Sequence, residues 1–297
     1  LHRGHQALIG RARARARELG LPLVVLSFEP LPREFFMAPE PPARLILPAA
    51  KIAGLQSLEV DVIGLLRFNP AMVAMAADDF VRAVLVAKLH AREVWVGPDF
   101  RFGHRRGGDV ALLQRMGAEL GFATHALPLV ENAGERVSST AVRAALARGE
   151  LDRAAVLLGR PYAIPGRVVR GKQLGRTLGY PTANLRFGGK RPPMHGIFAT
   201  WVHGVGDRPM ASVSSLGTRP TVNGKEPLLE AHLFDFNGDL YGRRISVEFV
   251  AKLRDELKFD GLPALIEQMD RDSAEARAIL AGRASAGHPQ PLSLTTP

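Results

Sequence analysis

Along the first half of the chain, two hydrophobic spacings alternate. His5–Leu19 (HQALIGRARARAREL) carries helical spacing, and Leu21–Phe28 (LPLVVLSF) is a short continuous apolar run. Such a run marks a strand buried on both faces, as in a parallel sheet. Val60–Leu66 and Arg92–Phe100 are two more runs of this kind. Between them, Ala77–His90 (ADDFVRAVLVAKLH) opens with Asp at capping distance and predicts an amphipathic helix. Asp109–Leu120 followed by Gly121–Val130 repeats the helix–strand order, and Ser138–Gly149 predicts a helix with a Ser/Thr start and a Gly stop. This alternation predicts an open parallel sheet with helices on both faces, whose ligands bind at the C-terminal strand ends.

After Leu157–Gly166 (LLGRPYAIPG) the pattern changes. Short strand-like runs separated by turn signals follow: Gly166–Gly171, Gly196–Gly204, Met210–Gly217, Leu228–Phe236 and Arg243–Val250. They predict a small antiparallel barrel. Two closing helices are expected, Gly261–Asp272 and Ser273–Gly282, and then a disordered tail. The expected organisation is residues 1–160, 161–283 and a tail over 284–297, with no internal repeat.

Composition narrows the reading. With 297 residues, 46% of them apolar, the chain can bury about two cores. It lacks any apolar run of the roughly 18 residues that a membrane helix requires. Cysteine is absent, which excludes disulfides and thiolate metal sites and suits a reducing, cytoplasmic setting. The net charge of +10 has two readings: polyanionic or phosphorylated partners, or an Arg/Ala-rich composition visible in RARARARE and AVRAALARGE. The basic residues are scattered and form no compact patch.

His2-Arg3-Gly4-His5 stands at the start of the first helix. Paired histidines suit a metal, but no third ligand lies at suitable spacing. They also suit a plain solvated helix start. A third reading is an anion site: a helix N-terminus offers unpaired N–H groups, Gly4 lets phosphate approach, and imidazoles donate to a phosphoryl group. Ser139 and Thr140 open a later helix, and Arg143 falls at the end of its first turn, suited to bridging phosphate or to an ordinary cap with a surface Arg.

HxGH with a late S-T-x-x-R resembles the nucleotidyltransferase superfamily. FEPLPREFF (28–36), VGPDFRFGHRRGGD (96–109) and VSSTAVRAAL (137–146) resemble the adenylyltransferase part of bacterial bifunctional riboflavin kinase/FAD synthetases. The resemblance implies a Rossmann-like α/β domain that joins AMP from ATP to FMN. His2, His5 and Arg143 would be catalytic, with Gly4, Ser139 and Thr140 holding phosphate and Asp99 and Phe100 on the flavin. One position departs: the family usually reads Phe-x-Pro-His-Pro, and here Leu31 stands in the His place.

Gly166–Leu185 (GRVVRGKQLGRTLGYPTANL) is glycine-rich without the Gly-Lys-Ser/Thr of a Walker loop. Gly166, Gly171 and Gly175 permit close backbone approach, Lys172 and Arg176 bring charge, and Thr182 and Asn184 offer oxygens suited to Mg²⁺. A structural turn is the alternative. With GTRPTV (217–222), LLEAHLFDFNGDLYG (228–242) and KLRDELKFDGLPALIEQMDRD (252–272), the stretch resembles the riboflavin kinase part of the same family. That implies Glu230 as catalytic base, Thr182 and Asn184 on the metal, and Arg254 and Phe259 in a flap over the flavin. Phe198 stands where Tyr is more usual.

The resemblance implies an enzyme that makes FMN from riboflavin and FAD from FMN, using ATP and Mg²⁺, with small-molecule partners and no nucleic acid or membrane. A kinase-only enzyme with an inactive first domain is one alternative, given Leu31. A basic RNA-binding protein is another, although aromatics total only 6% and do not interleave with basic strands. The family pattern also places a short apolar strand ahead of Leu1. The sequence is therefore expected to begin inside a motif, as an N-terminal truncation of a longer protein whose first half and FAD formation rest on that strand.

Overall fold

The computed structural model describes residues 1–132, 134–171, 175, 178–221 and 224–284. The described residues pack as two compact units, residues 1–42 with 54–137, and residues 43–53 with those from 138 onward.

In the first unit, helix Arg3–Leu19 starts at the N-cap His2 and stops at Gly20 in the left-handed conformation. Strands β1 (Val24–Glu29) and β2 (Val62–Arg67) pair in parallel from Val24↔Val62 to Glu29↔Arg67. β3 (Glu93–Val96) and β4 (Ala123–Ala126) pair in parallel likewise. Parallel direction follows from the intervening helices, each returning the chain to the same edge. The single open sheet expected from the sequence is corrected: among the described residues the ladder forms two separate pairs, β1–β2 and β3–β4. The helix expected over Ala77–His90 is α-helical only at Ala77–Phe80 and continues as a π-helix over Val81–Val86. Its wider turn brings Val81, Val84 and Leu85 together into a core with Leu113 and Met116. Helix Val110–Leu120 begins as expected, with Asp109 accepting from the Leu112 N–H at 2.9 Å. A two-residue hairpin, β5 (Glu131–Asn132) and β6 (Glu135–Arg136), follows.

In the second unit, helices Ser139–Ala147 and Leu151–Leu158 precede six antiparallel strands. These are β7 (Ala163–Arg167), β8 (Ala183–Arg186), β9 (Gly196–His203), β10 (Met210–Thr221), β11 (Gly224–Leu233) and β12 (Arg244–Arg254). Their order is β7-β12-β9-β10-β11-β8, and a bridge between Val169 and Asn184 links the two ends into a nearly closed barrel. β8 went unrecognised in the sequence because three of its four residues, Ala183–Leu185, lie inside the PTANL motif. Phe198, Val202, Leu216, Leu229, Val247 and Phe249 fill the interior. Among them sit Thr200, Ser212 and Ser214, paired to one another through Thr200 Oγ1–Ser214 Oγ at 2.7 Å, so each of these three hydroxyls has a partner.

The two closing helices are corrected to one, Leu262–Ala284. Ser273 reads locally as a cap, yet Asp272 just before it is buried against Arg254, and Ala276 and Leu280 pack on Ala199 and Val250. Continuous burial along one face outweighs a mid-helix Ser. The tail expected beyond it lies outside the described residues.

Candidate active sites

His2 holds the N-cap by its side chain: Nδ1 accepts from the His5 N–H at 3.4 Å. That leaves Nε2 as the donor in the neutral ring. The His2 and His5 rings stack with centroids 3.8 Å apart. Gly4 makes this possible, since a Cβ there would lie 3.1 Å from both Cε1 and Nδ1 of His2. Burial drives His2 down to about 4. His5 is lowered as well, by burial and then by the neighbouring His2, although one side of the residue stays open to water. Both rings are neutral at pH 7. The pair is therefore two neutral imidazoles stacked at a helix start.

The helix Ser139–Ala147 is capped by Ser138, whose Oγ accepts from the Ala141 N–H at 3.1 Å. The sequence reading put Ser139 and Thr140 at the helix start; the structure caps with Ser138, which leaves the Ser139 and Thr140 side chains outside the capping bond. Arg143 is half-buried and donates through Nε to Ala43 O at 2.7 Å and through Nη1 to Ser139 O at 3.2 Å. The surface Arg of one sequence reading is thus a guanidinium anchored on carbonyls.

Asp99 and Phe100 lie in the turn after β3, where the Phe100 N–H donates to Gly97 O. Asp99 accepts from Arg136 Nη2 at 2.7 Å in an exposed pair. Phe100 stacks on Phe102 with centroids 5.5 Å apart. Leu31 caps helix Pro32–Phe36 through its backbone alone, its N–H donating to buried Glu34.

In the barrel unit, Glu230 on β11 is the direct cross-strand partner of Asn184 on β8, and of Ser215 on β10. Alternation puts Thr182, Asn184, Ser215, Glu230 and His232 on one face, the outer one, because Leu185, Leu216, Leu229 and Ala231 point inward. Asn184 is 5% exposed and donates from Nδ2 to Thr182 O at 3.1 Å. Its Oδ1 is buried with no hydrogen-bond partner. A Cβ on Gly171 would lie 2.9 Å from that amide, so glycine permits the closeness. Gly166 lies within β7, and Gly175 O accepts from the Tyr180 N–H at 2.7 Å. Lys172 and Arg176 lie outside the described residues.

Arg254 and Phe259 come together, with the guanidinium carbon 5.9 Å from the ring centroid. Arg254 is held by Asp272, to which it donates from Nε at 2.9 Å and Nη2 at 2.6 Å. Asp272, 4% exposed, had no local signal in the sequence, because the pair spans eighteen residues between strand and helix. Tyr180 was missed for the same reason: its hydroxyl donates to Asp270, and its ring lies 4.9 Å from that of His232.

A family model described as FAD synthetase matches residues 1–141, and one described as riboflavin kinase matches residues 158–280. The bifunctional riboflavin kinase/FMN adenylyltransferase of Haemophilus influenzae is 41% identical over 94% of this chain and 90% of its own length. The protein of the same description from Escherichia coli K12 is 43% identical over 93% of this chain and 88% of its own. That of Pseudomonas fluorescens is 45% identical over 95% and 90%. A solved Streptococcus pneumoniae chain, described as a macrolide-efflux protein, superposes with a TM-score of 0.76 at 30% identity, covering 93% of this chain and 90% of that one. Among the described residues of the present chain, no helix is long and apolar enough to cross a membrane. The chain belongs to the family of bifunctional riboflavin kinase/FMN adenylyltransferases.

Proposed function

We propose that riboflavin is phosphorylated on the outer face of the barrel around Glu230 and Asn184, and that AMP transfer to FMN uses the His2–His5 pair. The single observation that carries the kinase assignment is the buried, unpartnered Oδ1 of Asn184 opposite Glu230. A buried acceptor without a partner costs about 1–3 kcal/mol, which a ligand at that oxygen recovers.

Mg²⁺ fits these residues: Thr182 Oγ1 and Asn184 Oδ1 are the neutral oxygens that a hard cation accepts while it shares the phosphates of its nucleotide. When bound, it supplies positive charge against the phosphate oxygens. Glu230 takes the proton of the ribityl 5′-hydroxyl as that oxygen attacks the γ-phosphorus; the bond to the bridging oxygen breaks, and ADP leaves with FMN as product. Gly166, Gly171 and Gly175 bring backbone close to the nucleotide, with Lys172 and Arg176 supplying cations. Arg254 and Phe259 cover the flavin ring, their geometry fixed from Asp272.

In the second reaction an FMN phosphate oxygen attacks the α-phosphorus of ATP, and pyrophosphate leaves with FAD as product. No covalent enzyme nucleophile is required, so positioned donors carry the catalysis. The neutral imidazoles of His2 and His5, with Gly4, act at the α-phosphate. Ser139, Thr140 and Arg143 are assigned to the triphosphate, and Asp99 and Phe100 to the flavin. A cysteine-free chain using ATP suits the cytoplasm.

The direct test of the kinase site is Glu230→Gln, which keeps shape and removes basicity. FMN formation should fall by roughly 10²-fold with ATP binding little changed. Normal turnover would mean that the carboxylate is structural and the base lies elsewhere.

A further inference from the structure

Two loops that carry the kinase's two substrates in the reading above are fastened to one turn of the same helix. On the nucleotide side, Tyr180 precedes Thr182 by two residues, and its hydroxyl donates to Asp270. Its backbone N–H closes on Gly175 O, and its ring lies against His232, itself two positions from Glu230 on the same strand face. His232 Nδ1 lies 2.9 Å from Pro181 O, which fastens the same arm a second time. On the flavin side, Arg254 is clasped by Asp272 through Nε and Nη2, and Gln268 Nε2 donates to the same carboxylate at 2.9 Å. Arg254 also donates from Nη1 to Asp255 O and lies over Phe259, so the start and the middle of the flap both hang on it.

Asp270 and Asp272 are two residues apart on helix Leu262–Ala284. Asp272 is buried and Asp270 exposed, so they leave the helix on different sides and reach different loops. The helix is anchored further on by Ala276 and Leu280 in the core with Val250, and the two aspartates belong to one of its turns.

We infer that Tyr180 and Asp270 are positioning residues that couple the nucleotide arm to the flavin flap through the turn Gln268–Asp272, so that each substrate binds more tightly when the other is present. The inference rests on the kinase reading of the barrel face. Coupling of this kind is reciprocal and is measured as a ratio of affinities. Neither residue is placed on a reacting atom.

The test uses the whole protein and a nucleotide that cannot turn over. Riboflavin affinity is measured by quenching of flavin fluorescence, with and without saturating Mg²⁺–ADP, and the ratio of the two dissociation constants is the coupling. The wild type should show a ratio within the roughly 5–150-fold range of coupled sites. Tyr180→Phe keeps the ring against His232 and removes only the hydroxyl; its ratio should fall towards one, while riboflavin affinity without nucleotide stays within about twofold of wild type. Asp270→Ala should do the same, the double variant should be no worse than either single one, and Asp270→Asn, which keeps an acceptor, should retain the wild-type ratio. A wild type that phosphorylates riboflavin but shows a ratio of one, or a Tyr180→Phe ratio equal to wild type, overturns the inference alone. A wild type without riboflavin kinase activity overturns the reading on which it rests.

Discussion

Asn184→Leu separates stability from function at the barrel site. The native residue buries an oxygen that no protein group satisfies, at a cost of about 1–3 kcal/mol. Its other contribution is the Nδ2 bond to Thr182 O at 3.1 Å, worth about 0.5–1.5 kcal/mol. Leucine has the same branched side-chain skeleton with bulkier methyl ends, so the exchange removes both terms at once at a modest packing cost. The ligand-free variant should lie between about 0.5 kcal/mol less and about 2.5 kcal/mol more stable than wild type. For a unit of roughly 150–250 residues that is a rise of up to several degrees in Tm. Mg²⁺–ADP reverses the order. At a hundredfold excess over its Kd it should stabilise the wild type by about 2.7 kcal/mol. It should stabilise the variant far less, because the oxygen that recovers its lost partner on binding is gone. Thermal melting with and without Mg²⁺–ADP reads both effects, and a kinase assay should show FMN formation lost. The reasoning is refuted if the ligand-free variant melts well below wild type, which would make Asn184 a structural residue. It is refuted equally if Mg²⁺–ADP raises both melting temperatures alike.

Gly4→Ala should leave the first unit at least as stable, since Ala is favoured over Gly in a helix by about 1 kcal/mol. FAD formation should nevertheless fall by about tenfold, because the new Cβ, 3.1 Å from two His2 ring atoms, displaces the imidazole; an unchanged rate would remove His2 from the chemistry. His2 is pushed down to about 4 from 6.5 by burial. Between those values the unfolded chain binds the proton that the folded one refuses, so the stability contribution is complete above 6.5 and declines as pH falls towards 4. Acid melts of His2→Gln against wild type should differ in that window, and parallel curves would contradict the shift. Arg254→Lys keeps the charge but loses the two-point bond to Asp272; KM for riboflavin should rise by roughly tenfold with the ATP KM little changed, and a change confined to ATP would place Arg254 on the other substrate.

The hydrophobic pattern carried most of the strands and helices, because a buried parallel strand and an amphipathic helix leave different spacings. What it left out was decided by distant partners. The π-helical turn at Val81–Val86 depends on packing against Leu113 and Met116, 30 or so positions away, and nothing in VRAVLV marks it. The long C-terminal helix, expected as two, runs on through Ser273, where the buried Asp272–Arg254 pair keeps the chain helical and nothing local in the sequence marks that pair. At the sites, motif residues were legible one by one, His2 at the helix start and Asn184 and Glu230 in their motifs, while the placing of Asn184 opposite Glu230 came from the fold. The residues that hold them, Asp272 under Arg254 and Asp270 under Tyr180, came only from the fold. Arg143 shows a third case, in which the residue was legible but its anchoring on Ala43 and Ser139 carbonyls was not.

Two activities on separate residue sets are the central claim, and product analysis tests it most directly. The protein and its Glu230→Gln and His5→Ala variants are incubated with ATP and Mg²⁺, once with riboflavin and once with FMN, and FMN and FAD are separated by chromatography. The account predicts FMN followed by FAD from the wild type, FMN without FAD from His5→Ala, and from Glu230→Gln FAD only when FMN is supplied. Loss of both activities in either single variant, with the protein still folded, would contradict it.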